Sequence, residues 1–156
     1  MPETLAAPLV EASIQTFEQL AYFFAESGPD DAAPDAIDPL QVDGVVSVAF
    51  CGLLCGGVVL QLAGGILPAL AANMLGLDDG ASAGEQQDAL GEAANVICGN
   101  VLPRIAGTAA VFTLGVPQRF ESWTAAVDAL GPVAAHVRFD IEGGRADVAL
   151  VMRPTP

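Results

Sequence analysis

The stretch "VDGVVSVAFCGLLCGGVVLQLAGGILPALAANMLG", Val42 to Gly76, decides the fold. No charged residue occurs from Gly44 to Leu77, a run of 34 residues that is long enough to cross a bilayer as a helix. Its internal grammar argues otherwise. The pairs Gly56–Gly57 and Gly64–Gly65 and the single Pro68 would break a spanning helix, and no aromatic belt or basic flank marks a membrane boundary. The β-branched first half reads as two strands, Val42–Phe50 and Gly56–Gly64, joined by a turn in "CGLLCGG". Both are almost continuously apolar, so at least part of each must be covered on both faces. Ile66–Gly76 then reads as a helix with Pro68 tolerated in its first turn.

Working outward, "EASIQTFEQLAYFFAE" (Glu11–Glu26) predicts a first helix with Ile14, Phe17, Leu20, Ala21 and Phe24 on its apolar face. Ser27–Pro39 carries three prolines and four aspartates and reads as a solvated acidic loop; it lacks the regular alternation and terminal Glu of a calcium loop. "LDDGASAGEQQ" reads as a loop leading into "DALGEAANVICGNVLP" (Asp88–Pro103), a second long helix. Beyond it, "GTAAVFTLGVP" and the hairpin "HVRFDIEGGRADVALVM" supply strands. In the hairpin Val137, Phe139 and Ile141 alternate with Arg138, Asp140 and Glu142, and Gly143–Gly144 turn the chain. Arg119–Leu130 is left as partly helical or an irregular edge, and residues 153–156 as a frayed tail. The order predicts a single α+β domain over residues 1–156: a mainly antiparallel twisted sheet with about three helices packed on it.

Composition removes whole classes of function. Five Lys plus Arg against nineteen Asp plus Glu give a formal net charge of −14, which opposes nucleic-acid and anionic-membrane binding. No signal peptide is visible, and three cysteines, Cys51, Cys55 and Cys98, make no disulfide framework. They read as small buried thiols in a cytoplasmic protein. Two thiols do not make a zinc site, the Gly pairs lack the spacing and Lys of a phosphate loop, and the lone His136 and lone Trp123 read as edge and packing residues.

The helix Asp88–Pro103 carries the candidate site. At about 100° per residue, Leu90, Ala94, Ile97 and Val101 share one stripe, and Asp88, Glu92, Asn95 and Gly99 share the opposite one. From spacing alone that polar stripe is an ordinary solvent-facing side. Yet Asn and Gly both weaken a helix interior, by about 1 kcal/mol in the case of Gly. A carboxylate and an amide beside bare backbone would also suit a closely docking partner.

At these residues the sequence resembles the CheC/CheX/FliY family of chemotaxis phosphatases, its CheX branch above all. The family motif is Asp or Ser, three residues, Glu, two residues, Asn, and a Pro some way on; here it is Asp88, Glu92, Asn95 and Pro117. "GEAANVICGN" resembles the family's helix, typically "ELaNiiaGN", and the likeness extends over Asp43–Met152. Twenty-one residues separate Asn95 from Pro117, one fewer than in the family pattern, and the first helix has Glu18 and Ala21 without an Asn, so the chain carries one site as CheX does. The resemblance implies hydrolysis of the aspartyl phosphate of a CheY-type response regulator. Asn95 would orient the attacking water and Glu92 would pair with the regulator's active-site Lys. Asp88, Gly99 and Asn100 would make further partner contacts. It also implies no cofactor or metal of its own, Mg²⁺ supplied by the regulator, and a homodimer. The competing expectation is a catalytically silent receiver-binding or self-assembling module of the same fold.

Overall fold

The computed structural model describes residues 2–28, 33–77 and 80–153. Residues 154–156 of the expected tail lie outside them; Arg153 does not fray, since it closes the last strand opposite Cys55 and donates from Nε to the Leu130 carbonyl at 2.7 Å.

The apolar run Gly44–Leu77 folds as a hairpin and a helix: β2 (Val42–Gly52), β3 (Cys55–Ala63) and α2 (Leu67–Leu75). No helix among the described residues is long and apolar enough to cross a membrane. The remaining elements are α1 (Pro2–Ala21), β1 (Glu26–Ser27), α3 (Ala83–Ala106), β4 (Phe112–Leu114), β5 (Gln118–Phe120), α4 (Trp123–Leu130), β6 (Val133–Ile141) and β7 (Gly144–Arg153). They build one antiparallel sheet in the order β1-β6-β7-β3-β2-β4, with β5 also on β2.

Strand alternation divides the sheet into two buried faces. Val46, Val48, Val58, Leu60, Leu62, Phe139, Val148 and Leu150 face α1, α2 and α3. Val45, Val59, Ala149 and Val151 face the other way and are covered by Trp123, Ala126 and Leu130 of α4. The continuous apolar character of β2 and β3 thus has its cause in a helix on each side. The fourth helix exceeds the expected three. It starts where Ser122 accepts from the Ala125 N–H, a cap inside the segment left undecided between helix and edge.

Other boundaries also moved for local reasons. The first helix begins at Pro2 and stops at Ala21, because Tyr22 turns left-handed (φ 59°) while its N–H and that of Phe23 reach the Glu18 and Phe17 carbonyls. Phe23 therefore enters the core, and Phe24, expected inside, is 72% exposed. The closing turn is Glu142–Gly143, both with positive φ as a two-residue hairpin favours, one residue earlier than expected. Of the acidic loop, residues 29–32 lie outside the described ones; the rest is exposed or half-buried, Asp35 and Asp38 included, and is tied down where the Pro34 carbonyl accepts from the buried Gln61 amide at 3.1 Å and the Gly28 N–H reaches the Arg138 carbonyl.

The expectation of three buried thiols is corrected. β2 and β3 extend into "CGLLCGG", so Cys51 and Cys55 sit directly opposite, 4.1 Å apart at Cα, and are joined as a disulfide. Only Cys98 is a free buried thiol, its pKa pushed up to about 12 by burial in α3. His136 is likewise more than an edge residue. Its Nε2 lies 2.7 Å from Oδ1 of the fully buried Asp147, which also accepts both Nε and Nη2 of Arg145, at 2.8 and 2.9 Å. His136 further meets Trp123 edge to face at 5.6 Å.

A buried carboxylate stripped of one partner is costly, and removing Asp147 leaves two cationic or polar partners beside a void. Asp147→Ala should lower unfolding free energy by about 3–5 kcal/mol in urea titration; a loss below about 1 kcal/mol would deny the cluster a structural role. For the cysteines, native unreduced protein should show no maleimide-reactive thiol. Mild reduction should release Cys51 and Cys55 only, with Cys98 reacting after unfolding; early labelling of Cys51 without reductant would refute the bridge.

Candidate functional site

The site helix α3 starts earlier than its hydrophobic pattern shows. Ser82 and Glu85 form a capping box: the Ser82 hydroxyl accepts from the Glu85 N–H at 3.1 Å, and the Glu85 carboxylate accepts from the Ser82 N–H at 2.9 Å. Residues Ala83–Gln87, expected as loop, are therefore helical. The helix also continues past Pro103 to Ala106. Asp88 consequently sits beyond the first turn, where a macrodipole effect has already faded.

Three supports fix the orientation of α3. Its inner stripe, Leu90, Ala94, Ile97 and Val101, is completely buried against the sheet, as the periodicity requires. Truncating one such Leu typically costs about 2–5 kcal/mol. On one flank, α1 is tied on through polar contacts. The Asn100 amide donates to the Thr16 hydroxyl at 2.9 Å. Arg104 bridges the Gln15 amide oxygen at 2.6 Å and the Asn100 carbonyl at 2.7 Å. On the other flank, the segment between β4 and β5 rises from the edge of β2, and Pro117 lies on Gly91: a Cβ built at Gly91 would meet Pro117 Cβ at 3.0 Å.

What remains is the outer stripe. Asp88, Glu92 and Gly99 are exposed and Asn95 is half-buried; on the helical wheel Asn95 falls on the Gly91 side of the row. Glu92 and Asn95, three residues apart, present their Cβ atoms about 5–6 Å from one another on the same side. A Cβ at Gly99 would meet nothing within 4 Å, and Pro103, four residues on, has no N–H to give the Gly99 carbonyl. Packing among the described residues therefore does not require a glycine at position 99. The structure thus brings Asp88, Glu92, Asn95 and Gly99 into one row, with Pro117 beside it. Asn100 stands apart, its amide turned inward to Thr16.

Sequence reasoning missed the job of Gly91. Its signal was present, since a glycine on the wheel between the buried stripe and Asn95 needs a close neighbour, and the motif's distant Pro is that neighbour. The row lies on the open side of α3 and not in a cleft lined by it. A cleft of about 550 Å³ lined by Gln61, Arg119, Phe120 and Trp123 opens elsewhere, reaching α3 only at Gln87. No group of three or more metal-binding side chains occurs among the described residues.

Fold and stripe together present an exposed acid–amide row on a helix held by the sheet, by α1 and by Pro117. The sequence model described as "Chemotaxis phosphatase CheX" matches residues 45–137, and the chain belongs to that family. The fold resembles the chemotaxis protein CheX of Vibrio vulnificus (TM-score 0.70, 17% identity, 96% of each chain covered). It also resembles CheX of Desulfovibrio desulfuricans (0.69, 17%, 96% of this chain and 99% of that one). A third likeness is to CheX in the CheX–CheY–BeF3–Mg²⁺ complex from Borrelia burgdorferi (0.61, 14%, 95% and 97%). No curated protein matches the chain by sequence.

The two glycines of α3 separate structural from functional need. Gly99→Ala should raise stability by about 0.5–1 kcal/mol, the usual gain for Ala over Gly in a helix. Gly91→Ala should show no such gain, because its methyl presses on Pro117. Equal stabilisation of both variants in thermal melts would remove the strap contact from the account.

Proposed function

We propose that the chain hydrolyses the aspartyl phosphate of a phosphorylated CheY-type response regulator by docking α3 over the phosphorylated site. The observation that carries this reading is the outward row of Glu92 and Asn95 on a helix held on three sides, in a chain of the CheX family. The Borrelia complex, in which a CheX protein sits with CheY, BeF3 and Mg²⁺, supports the choice of partner.

The chemistry asks little of this chain beyond placement. An acyl phosphate already has a good leaving group, a carboxylate of ordinary low pKa. Water adds to phosphorus, the bond from phosphorus to the aspartyl oxygen breaks, inorganic phosphate departs, and the water proton passes to solvent. Phosphoryl transfer of this kind depends on positioning and charge stabilisation. The Asn95 amide cannot act as a base at neutral pH, but its carbonyl can accept from the attacking water while its NH₂ donates to a phosphoryl oxygen. Glu92, one turn earlier, pairs with a cationic side chain of the receiver, its active-site Lys, and sets the register. Asp88 and Gly99 extend the contact along the row, with Gly99 leaving room for the partner's backbone. Asn100 acts from behind by locking α3 to α1. In this reading the chain brings no cofactor, and Mg²⁺ is the receiver's.

The reading includes a homodimer. β1 pairs only with Phe139 and Asp140 of β6, so among the described residues the Val133–Val137 edge is open to a second copy. Sedimentation at micromolar concentration reads it directly.

The test of activity is phosphate release from phosphorylated receiver domains of the same cell. Wild type should accelerate it well above the receiver's own rate. Asn95→Ala should lose about 10²-fold or more of the acceleration while remaining folded. Glu92→Lys should chiefly raise KM. No acceleration of any cognate receiver would sink the proposal, and tight binding without turnover would leave an interaction module.

A further inference from the structure

We infer that Val116 is an apolar docking residue for the receiver, placed beside the Glu92–Asn95 row by the segment that joins β4 to β5. The inference rests on the docking mode proposed above and adds a residue that the acid–amide pair does not include.

The segment Val111–Phe120 runs along the surface and is tied to the fold at a few points. Phe112 turns inward and meets Phe50 edge to face at 5.8 Å, Leu114 pairs with Phe50, and the Gly115 N–H donates to the Ala49 carbonyl at 2.7 Å. Strand pairing with β2 then lapses between Leu114 and Gln118, and there the chain rises so that Pro117 packs on Gly91. Val116, at the top of this rise, is 81% exposed. Consecutive Cα atoms are about 3.8 Å apart, so with Pro117 in contact with Gly91 the backbone at Val116 lies within roughly 10 Å of that at Gly91, the residue before Glu92 and one turn before Asn95.

A single exposed valine is unremarkable on any surface. This one differs in its surroundings. Its two neighbours are exposed yet tied to the fold, Gly115 through its N–H to the Ala49 carbonyl and Pro117 through its contact with Gly91, which lowers the ordering entropy lost when it meets a partner. It also stands on the Gly91 side of the row, where Asn95 falls. The chain carries a net charge of −14, and the row it flanks holds Asp88 and Glu92. A receiver's phosphorylation pocket is acidic as well, so affinity cannot come from long-range attraction and must be supplied at short range. Beyond the ion pair at Glu92 and hydrogen bonds at Asn95, apolar burial is the remaining source, and Val116 is an exposed apolar side chain on the segment that flanks the row. The partner surface it fits is an apolar patch on the rim of the receiver's phosphorylation pocket.

The experiment measures equilibrium binding of the full chain to a CheY-type receiver loaded with beryllofluoride and Mg²⁺, together with phosphate release from the phosphorylated receiver. Val116→Asp should weaken binding about tenfold or more, the loss of one buried valine contact plus an added like charge. Val116→Ala should weaken it several-fold and raise KM without changing kcat, and Leu40→Asp, at an exposed leucine just before β2, should change neither. Melting temperatures should be the same for all of them. Unchanged binding by both Val116 variants, or a loss confined to kcat, overturns the inference while leaving the phosphatase reading intact if wild type hydrolyses. Binding that depends on Val116 without hydrolysis upholds the inference and defeats the phosphatase reading. Absence of binding by wild type overturns both.

Discussion

The seat of α3 on the sheet is the constraint from which the rest follows. Leu90, Ala94, Ile97 and Val101 are fully buried there, and a helix whose inner stripe is fixed has its outer stripe fixed too. Rotation by one residue would swing Asn95 toward the sheet and bury a polar side chain without a partner. That is costly enough to hold the register. The polar ties to α1 and the Gly91–Pro117 contact act on the two flanks and resist what rolling the apolar seat alone would permit. The candidate chemistry therefore sits on the outward, solvent-facing side of a helix held on three sides.

An outward-facing site alters how charge should be judged. In a pocket, a surplus of acid would repel an anionic substrate throughout its approach. Under the proposed function the substrate is a macromolecule that carries its phosphoryl group in its own site, and only the last contacts bring the two acidic surfaces together. Screening at physiological ionic strength confines that repulsion to about 8 Å. The acidic composition is then compatible with docking. What must overcome the residual repulsion is local: a cation for Glu92, hydrogen bonds at Asn95 and apolar contact beside them.

Much of this was legible in the sequence because the signals were periodic. The inner and outer stripes of α3 came directly from the 3.6-residue repeat, and the two-sided burial of β2 and β3 from their lack of alternation. The final hairpin was plain from period two. What escaped was set by single residues. The capping box at Ser82 and Glu85 extended α3 backward through residues with no apolar pattern. Tyr22 ended α1 in a backbone conformation that its residue type does not favour. Cys51 and Cys55 read as turn residues because the strands were drawn too short, and their pairing appears only once the register is known. The burial of Asp147 required knowing that His136 and Arg145 converge on it from two strands. The site row itself was visible. The contact that braces it, Gly91 on Pro117, joins residues far apart in the chain and needed the fold.

The division of labour along α3, with Glu92 holding and Asn95 placing water, is the central claim. It is tested most directly by measuring two quantities on one variant, Asn95→Ala: its affinity for a receiver carrying beryllofluoride and Mg²⁺, and its acceleration of phosphate release from the phosphorylated receiver. The account predicts affinity close to that of wild type with the acceleration lost. Retained hydrolysis by Asn95→Ala, or loss of affinity and hydrolysis in equal measure, would contradict it.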